Sequence, residues 1–153
     1  MNHDETPIVR YGDDVAVGDQ LPEIILELDW TTMALQVSGS QDWNKQHHDP
    51  DFARDSGMPG IFYNTGWTTG LFGRLLTDWA GYEGWVERLS LQMRGMHCNG
   101  DTVRAHGTVT AVTLDSTVAR VELELGLSNQ RLGLATPASA TVRLPRHRSS
   151  SRR

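Results

Sequence analysis

Within residues 38 to 50, SGSQDWNKQHHDP, stand Asp42, Asn44, His47, His48 and Asp49. No glycine-rich phosphate loop or paired-cysteine motif accompanies them, so neither phosphate cradling nor thiolate metal binding is the chemistry on offer. A histidine beside a carboxylate takes a proton from water near neutral pH, the imidazole acting as general base. Asp42 and His47 are too far apart in sequence to share the face of a straight helix, so the pairing needs a turn between them. Asn44 can supply it by bonding its own backbone. A metal site from His47, His48 and Asp49 is disfavoured, since adjacent side chains diverge and further ligands are not evident. By spacing alone, the same residues also fit a plain polar surface loop.

Ahead of this run, LPEIILELDW (21 to 30) and MALQVS (33 to 38) read as extended segments. After it, Asp49 is placed to cap a short helix that Pro50 begins and Gly57 stops. Residues 61 to 80 carry Trp67, Leu71, Phe72, Leu75, Leu76 and Trp79 as a helical stripe, with Gly81 as its stop. Gly66, Gly70 and Gly73 interrupt that helix at about 1 kcal/mol each relative to alanine; close approach of a sheet is the expected reason. Period-two patterns follow: Leu89, Leu91 and Met93; Val103, Ala105, Val109 and Ala111; Ala119 through Leu127; Ala138 through Leu144. Turns are expected at 99 to 101, 115 to 116 and 128 to 130. One long helix, then an antiparallel meander of four strands, with another strand ahead, is an α+β plan. In it a curved sheet wraps a single buried helix, the hotdog architecture.

The 153 residues make one domain, 1 to 145, followed by a basic tail, 146 to 153, expected to be disordered. The last nine residues hold four arginines and no acid; removing those charges from the net −5 leaves −9 on the rest. So acidic a body excludes nucleic acid as the expected partner, although the tail alone could serve as an arm for an anionic one. No apolar run is long enough to cross a bilayer, and the acidic start is not a secretory signal. A lone Cys98 cannot form an intrachain disulfide, which fits the cytoplasm. Cys98 reads as a small buried hydrophobe, and His48 and His97 as structural.

The stretch SGSQDWNKQHHDPDFA resembles the hydratase motif of the MaoC-like, (R)-specific enoyl-CoA hydratase family, Ser-Gly-Asp-x-Asn-Pro-x-His or a near variant. Asp42, Asn44 and His47 fall on its three polar positions. VGDQLPEI (17 to 24) and CNGDTVRAHGTVTAV (98 to 112) are similar to other family segments, so the likeness spans most of 15 to 145. GIFYNTGWTTGLFGRLLTDWAG resembles a run in the small hydratase chains of actinobacterial steroid side-chain degradation. Two departures stand out. Lys45 replaces the motif's proline, and Tyr63 to Thr65 replace a His-Gly-Met, which puts Asn64 where a glycine amide usually serves as oxyanion donor.

The resemblance implies a hydro-lyase of acyl-CoA metabolism, lipid or steroid, adding water to a trans-2-enoyl thioester to give the (R)-3-hydroxyacyl thioester. It assigns His47 as base, Asp42 as the carboxylate that orients the pair and helps return a proton, and the Asn64 amide as oxyanion donor. Asn44 supports the turn, and Tyr63 and Trp67 are candidates for an acyl pocket as well as for core packing. No metal is implied, nor any cofactor beyond the coenzyme A of the substrate. The implied assembly is a homodimer or a pairing with a second hotdog chain. A thioesterase on this fold would carry a carboxylate on the central helix or at its start, and residues 58 to 77 contain none. A non-catalytic subunit shaping a partner's acyl site is the other alternative; the intact Asp42 and His47 favour the catalytic one.

Overall fold

The computed structural model describes residues 8 to 147. The chain enters through a 3₁₀ turn at Gly12–Asp14 and a short strand, β1, Ile24–Glu27. Residues 33 to 38, expected to be extended, are helical instead: α1 spans Trp30–Ser40. Its start is capped by Asp29, whose carboxylate accepts the Thr32 amide proton at 2.7 Å. Met33, Gln36 and Val37, spaced i, i+3, i+4, are its buried residues. The local alternation that suggested a strand yields to that cap and face. Gln41, at φ 56, ends the helix in the left-handed region and turns the chain into the polar run.

A second 3₁₀ turn, Lys45–His47, leads to α2, Pro50–Asp55, capped by Asp49 as its sequence requires. The long helix, α3, occupies Thr65–Ala80, so it begins later than the stripe from 61 suggests. Leu71, Phe72, Leu75, Leu76 and Trp79 are all buried along it. Gly81 closes it at φ 75, where a β-carbon would stand 2.2 Å from the Ile8 carbonyl oxygen, so only glycine fits.

The other strands are β2, Trp85–Leu91; β3, Thr102–Leu114; β4, Val118–Asn129; and β5, Gly133–Pro145. All pairings are antiparallel, in the order β1-β3-β4-β5-β2. The expected four-strand meander is therefore corrected: β3, β4 and β5 are consecutive, but β2 crosses to the far edge and pairs with β5. The long turn before β3 permits that crossing. On β3 the expected inward parity fails at Ala111, which is exposed, because a bulge between Val109 and Ala111 shifts the register and turns Val112 toward the core. β4 keeps its parity, with Ala119, Val121, Leu123, Leu125 and Leu127 all buried, and runs two residues into the turn expected at 128 to 130.

The glycines of α3 do not meet the sheet. A β-carbon on Gly70 or Gly73 would find nothing within 4 Å, and one on Gly66 would meet only the Asn64 side chain and Ser40. Gly66 and Gly70 instead line an open cleft between α1 and α3. Two residues of the expected tail are also docked: Arg146 pairs with Asp13, one guanidinium nitrogen 2.6 Å from its carboxylate, and His147 lies against Asp14 and stacks on Tyr11. The remainder of that tail, 148 to 153, lies outside the described residues.

Candidate active site

The turn after α1 brings Asp42 and His47 together. Asn44 makes it, its side-chain oxygen accepting the Gln46 amide proton at 3.0 Å while its own amide donates to Asp42 Oδ1 at 3.3 Å. His47 Nε2 then stands 3.3 Å from Asp42 Oδ2. The imidazole is buried and the carboxylate is 41% exposed, so the pair sits at a mouth open to solvent on the aspartate side. His48, the next residue, is exposed, as expected of neighbouring side chains in a tight turn.

His47 has its tautomer set by the backbone. Its Nδ1 lies 2.8 Å from the Phe62 carbonyl oxygen, which can only accept, so Nδ1 carries a proton, and in the neutral form of the ring Nε2 is then a bare lone pair. That lone pair faces a carboxylate oxygen, which also accepts. Two acceptors at this separation are suited to a molecule with two protons to offer, and water is the smallest. The Phe62 carbonyl, not Asp42, is the orienting group for the ring, and sequence reasoning offered no sign of it.

Asn64 contributes more than its amide. As the residue before α3 its Oδ1 accepts the Trp67 amide proton at 2.8 Å, and its Nδ2 donates to Ser40 Oγ at 2.8 Å and Asp42 Oδ2 at 3.1 Å. One side chain thus caps the helix, ties it to α1 and holds the catalytic candidate carboxylate in place. The helix-capping role was readable from an asparagine ahead of an apolar stripe; the tie to Asp42 was not. The Asn64 amide proton, the expected oxyanion donor, is buried and faces Gln36 Oε1 at 3.5 Å, the outer limit of a hydrogen bond. It lies at the N-terminal end of α3, where the helix dipole favours negative charge.

These groups line a pocket of about 240 Å³ with Gln46, Phe62, Gly66 and Met93. Gly66 also belongs to the larger cleft between α1 and α3, about 460 Å³, whose walls include Leu35, Gln36, Trp67, Gly70 and Leu71. The bond from Asn64 to Ser40 sets the C-terminal end of α1 against the N-terminal end of α3. The cleft follows α3 from Gly66 to Arg74, about 12 Å at the helical rise of ~1.5 Å per residue. Trp67, half-buried, lies on this cleft, its ring 3.9 Å from that of Tyr63. Tyr63 is wholly buried, and its hydroxyl has no hydrogen-bond partner among the described residues; burial pushes its phenol up, the nearby Thr32 side chain only partly opposing.

A curled antiparallel sheet around one long helix, with the polar loop at that helix's N-terminus, is the hotdog fold. No family model matches the chain. Individual proteins do. The 3-oxo-4,17-pregnadiene-20-carboxyl-CoA hydratase beta subunit of Mycobacterium tuberculosis is 38% identical over 96 residues, 63% of this chain and 74% of that protein. A chain of the crystal structure of the ChsH1-ChsH2 complex from the same species superposes with a TM-score of 0.77 at 30% identity, covering 84% of this chain and 98% of that one. The (R)-hydratase from A. caviae involved in PHA biosynthesis gives 0.75 at 26%, covering 86% and 98%. The chain belongs to the MaoC-like hydratase and dehydratase family. Among the described residues, no helix is long and apolar enough to cross a membrane.

Proposed function

We propose that this chain adds water reversibly across the double bond of a trans-2-enoyl thioester of coenzyme A, giving the (R)-3-hydroxyacyl thioester. The observation that carries the reading is the geometry of two facing acceptors, His47 Nε2 and Asp42 Oδ2, 3.3 Å apart. A water molecule there gives one proton to Nε2 as its oxygen adds to C3. The electron pair of the double bond moves onto the thioester oxygen. Nε2 passes its proton to the adjacent Oδ2, and Asp42 delivers it to C2, so hydroxide and proton sum to one water and both side chains return to their starting state. The negative charge on the thioester oxygen needs a preorganised donor. The Asn64 amide, weakly engaged by Gln36, is assigned that role.

The acyl group is assigned to the cleft along Gly66 and Gly70. Its size, its apolar walls and the bulky acyl group in the name of the M. tuberculosis relative support a large, ring-bearing acyl chain over a short one. A second hotdog chain as partner is supported by that relative's being a beta subunit and by the two-chain complex. Coenzyme A is carried in by the substrate, and the mechanism asks for no other cofactor.

Incubating the chain, alone and with any second chain co-purified from its native host, with crotonyl and steroid enoyl thioesters tests this. Hydration to the (R) isomer is expected. An (S) product, or no hydration in either form, would contradict it.

A further inference from the structure

A buried polar cluster lies beneath the site, outside the catalytic pair. Asp101, 2% exposed, receives two bonds from Arg131, Nε at 2.6 Å and Nη2 at 2.7 Å. Its Oδ2 also accepts the Cys98 amide proton at 2.8 Å and an Asn129 Nδ2 proton at 3.3 Å. Asn129 Nδ2 reaches His97 Nδ1 at 3.0 Å, and His97 Nε2 meets Thr136 Oγ1 at 3.1 Å. Asn129 Oδ1 accepts two backbone protons, from Arg131 and Leu132, which fixes its amide orientation. Nδ1 of His97 is therefore an acceptor and Nε2 the donor. Burial holds the His97 ring neutral, Asp101 only partly opposing. Burial also raises the Asp101 carboxyl, but the Arg131 and Cys98 hydrogen bonds outweigh it and leave it below the ordinary range.

Such a cluster costs desolvation and is weak as a source of stability. What it determines is the path of residues 96 to 101. Arg131 Nη2 donates to the Met96 carbonyl at 3.0 Å. On that segment hangs the strip that faces His47: the Tyr63 amide donates to the His97 carbonyl at 2.9 Å, the Asn99 amide to the Ile61 carbonyl at 3.1 Å, and Phe62 bridges Cys98. Between those two bonds projects the Phe62 carbonyl that takes the His47 Nδ1 proton.

We propose that the Asp101–Arg131 pair, through His97 and Asn129, is a positioning device for His47: it holds the 96-to-101 segment so that the Phe62 carbonyl selects the tautomer with a bare Nε2. Asp101 and Arg131 touch no reacting atom. If the segment drifts, that carbonyl loses its aim and Nδ1 no longer holds its proton.

The test is the ring-nitrogen spectrum of His47 in the intact, ¹⁵N-histidine-labelled protein, compared among parent, Arg131→Gln and Arg131→Lys. The Arg131 side chain is 38% exposed, so neither change leaves a large cavity. In the parent, Nδ1 should appear protonated and Nε2 as an acceptor. Arg131→Gln should mix the two tautomers and lower kcat about tenfold, as loss of a partner one shell out typically does, with KM nearly unchanged. Arg131→Lys, which keeps the charge and one donor, should recover part of both, and carries the test if the Gln variant does not fold. A melting temperature lowered with the His47 tautomer intact would overturn the proposal, leaving the cluster a structural one. A tautomer shift without loss of turnover would uphold the positioning and sink the assignment of His47 as base, so the kinetic arm alone rests on the proposed function.

Discussion

His47 Nε2 and Asp42 Oδ2, at 3.3 Å, face one another as acceptors while the other ring nitrogen is spent on the Phe62 carbonyl. In the proposed mechanism neither can replace the other, since one would take the first proton and the other would deliver it. Asp42→Asn and His47→Ala are each expected to lower hydration of an enoyl thioester by about 10²- to 10⁴-fold. Circular dichroism should show both variants folded, because neither Asp42 nor His47 belongs to the apolar core cluster. Activity of both variants close to the parent's would remove the mechanism.

Gly70 faces open space in the cleft, not the sheet. Gly70→Leu should therefore cause no overpacking, and by helix propensity it should leave the melting temperature unchanged or raise it, by the equivalent of about 1 kcal/mol at most. The new side chain fills the cleft, so turnover of a steroid thioester should collapse while that of a four-carbon thioester survives. Equal effects on the two substrates would place the acyl group elsewhere.

The sheet ends on β2, whose outer edge has no strand partner among the described residues; Trp85, its first residue, and Tyr82, just ahead of it, are 62% and 80% exposed. Unpaired edges of this kind are closed by a second chain. Sedimentation at micromolar concentration, with and without a co-purified hotdog chain, should find a dimer or larger species. Lys substitution of Trp85 should weaken it. A monomer under both conditions would refute the pairing.

The side-chain hydrogen bond from Arg146, with the His147 amide, holds the Asp13 carboxyl down to about 2. Because the folded-state value is depressed, the stabilisation from this contact is present above the ordinary carboxylate range near 4 and disappears as pH falls toward 2. Arg146→Ala should return Asp13 to ordinary titration, read by carboxyl NMR, and should flatten the loss of stability over that acidic window. Deleting 148 to 153 while keeping Arg146 should change neither. An unshifted Asp13 in the parent would show the contact to be absent in solution.

What could be read along the chain was whatever depends on neighbours within a turn or two. The α3 stripe from Leu71 to Trp79, the alternation of β4 and the cap formed by Asp49 with Pro50 all follow from helical or strand period and local hydrogen bonding. Turn propensity made Asn44 legible as a bend that could bring Asp42 and His47 together, but spacing alone fitted a polar surface loop as well, and the resemblance to the hydratase motif singled out the pair. Met33 to Ser38 was misread because its apolar positions satisfy a period of two nearly as well as a helical one. Its packing against distant α3 decided between them. Distance in sequence likewise hid the pairing of β2 with β5, the direction of Gly66 and Gly70, the seat of Arg146 on Asp13, and the reach of Asn64 to Asp42. In each, the free energy comes from a contact across many residues, which no local pattern encodes. Residue types along the polar run name the groups able to move a proton. That the Phe62 carbonyl faces His47 Nδ1 comes from folding alone, because that alignment arises where two segments remote in the chain hydrogen-bond side by side.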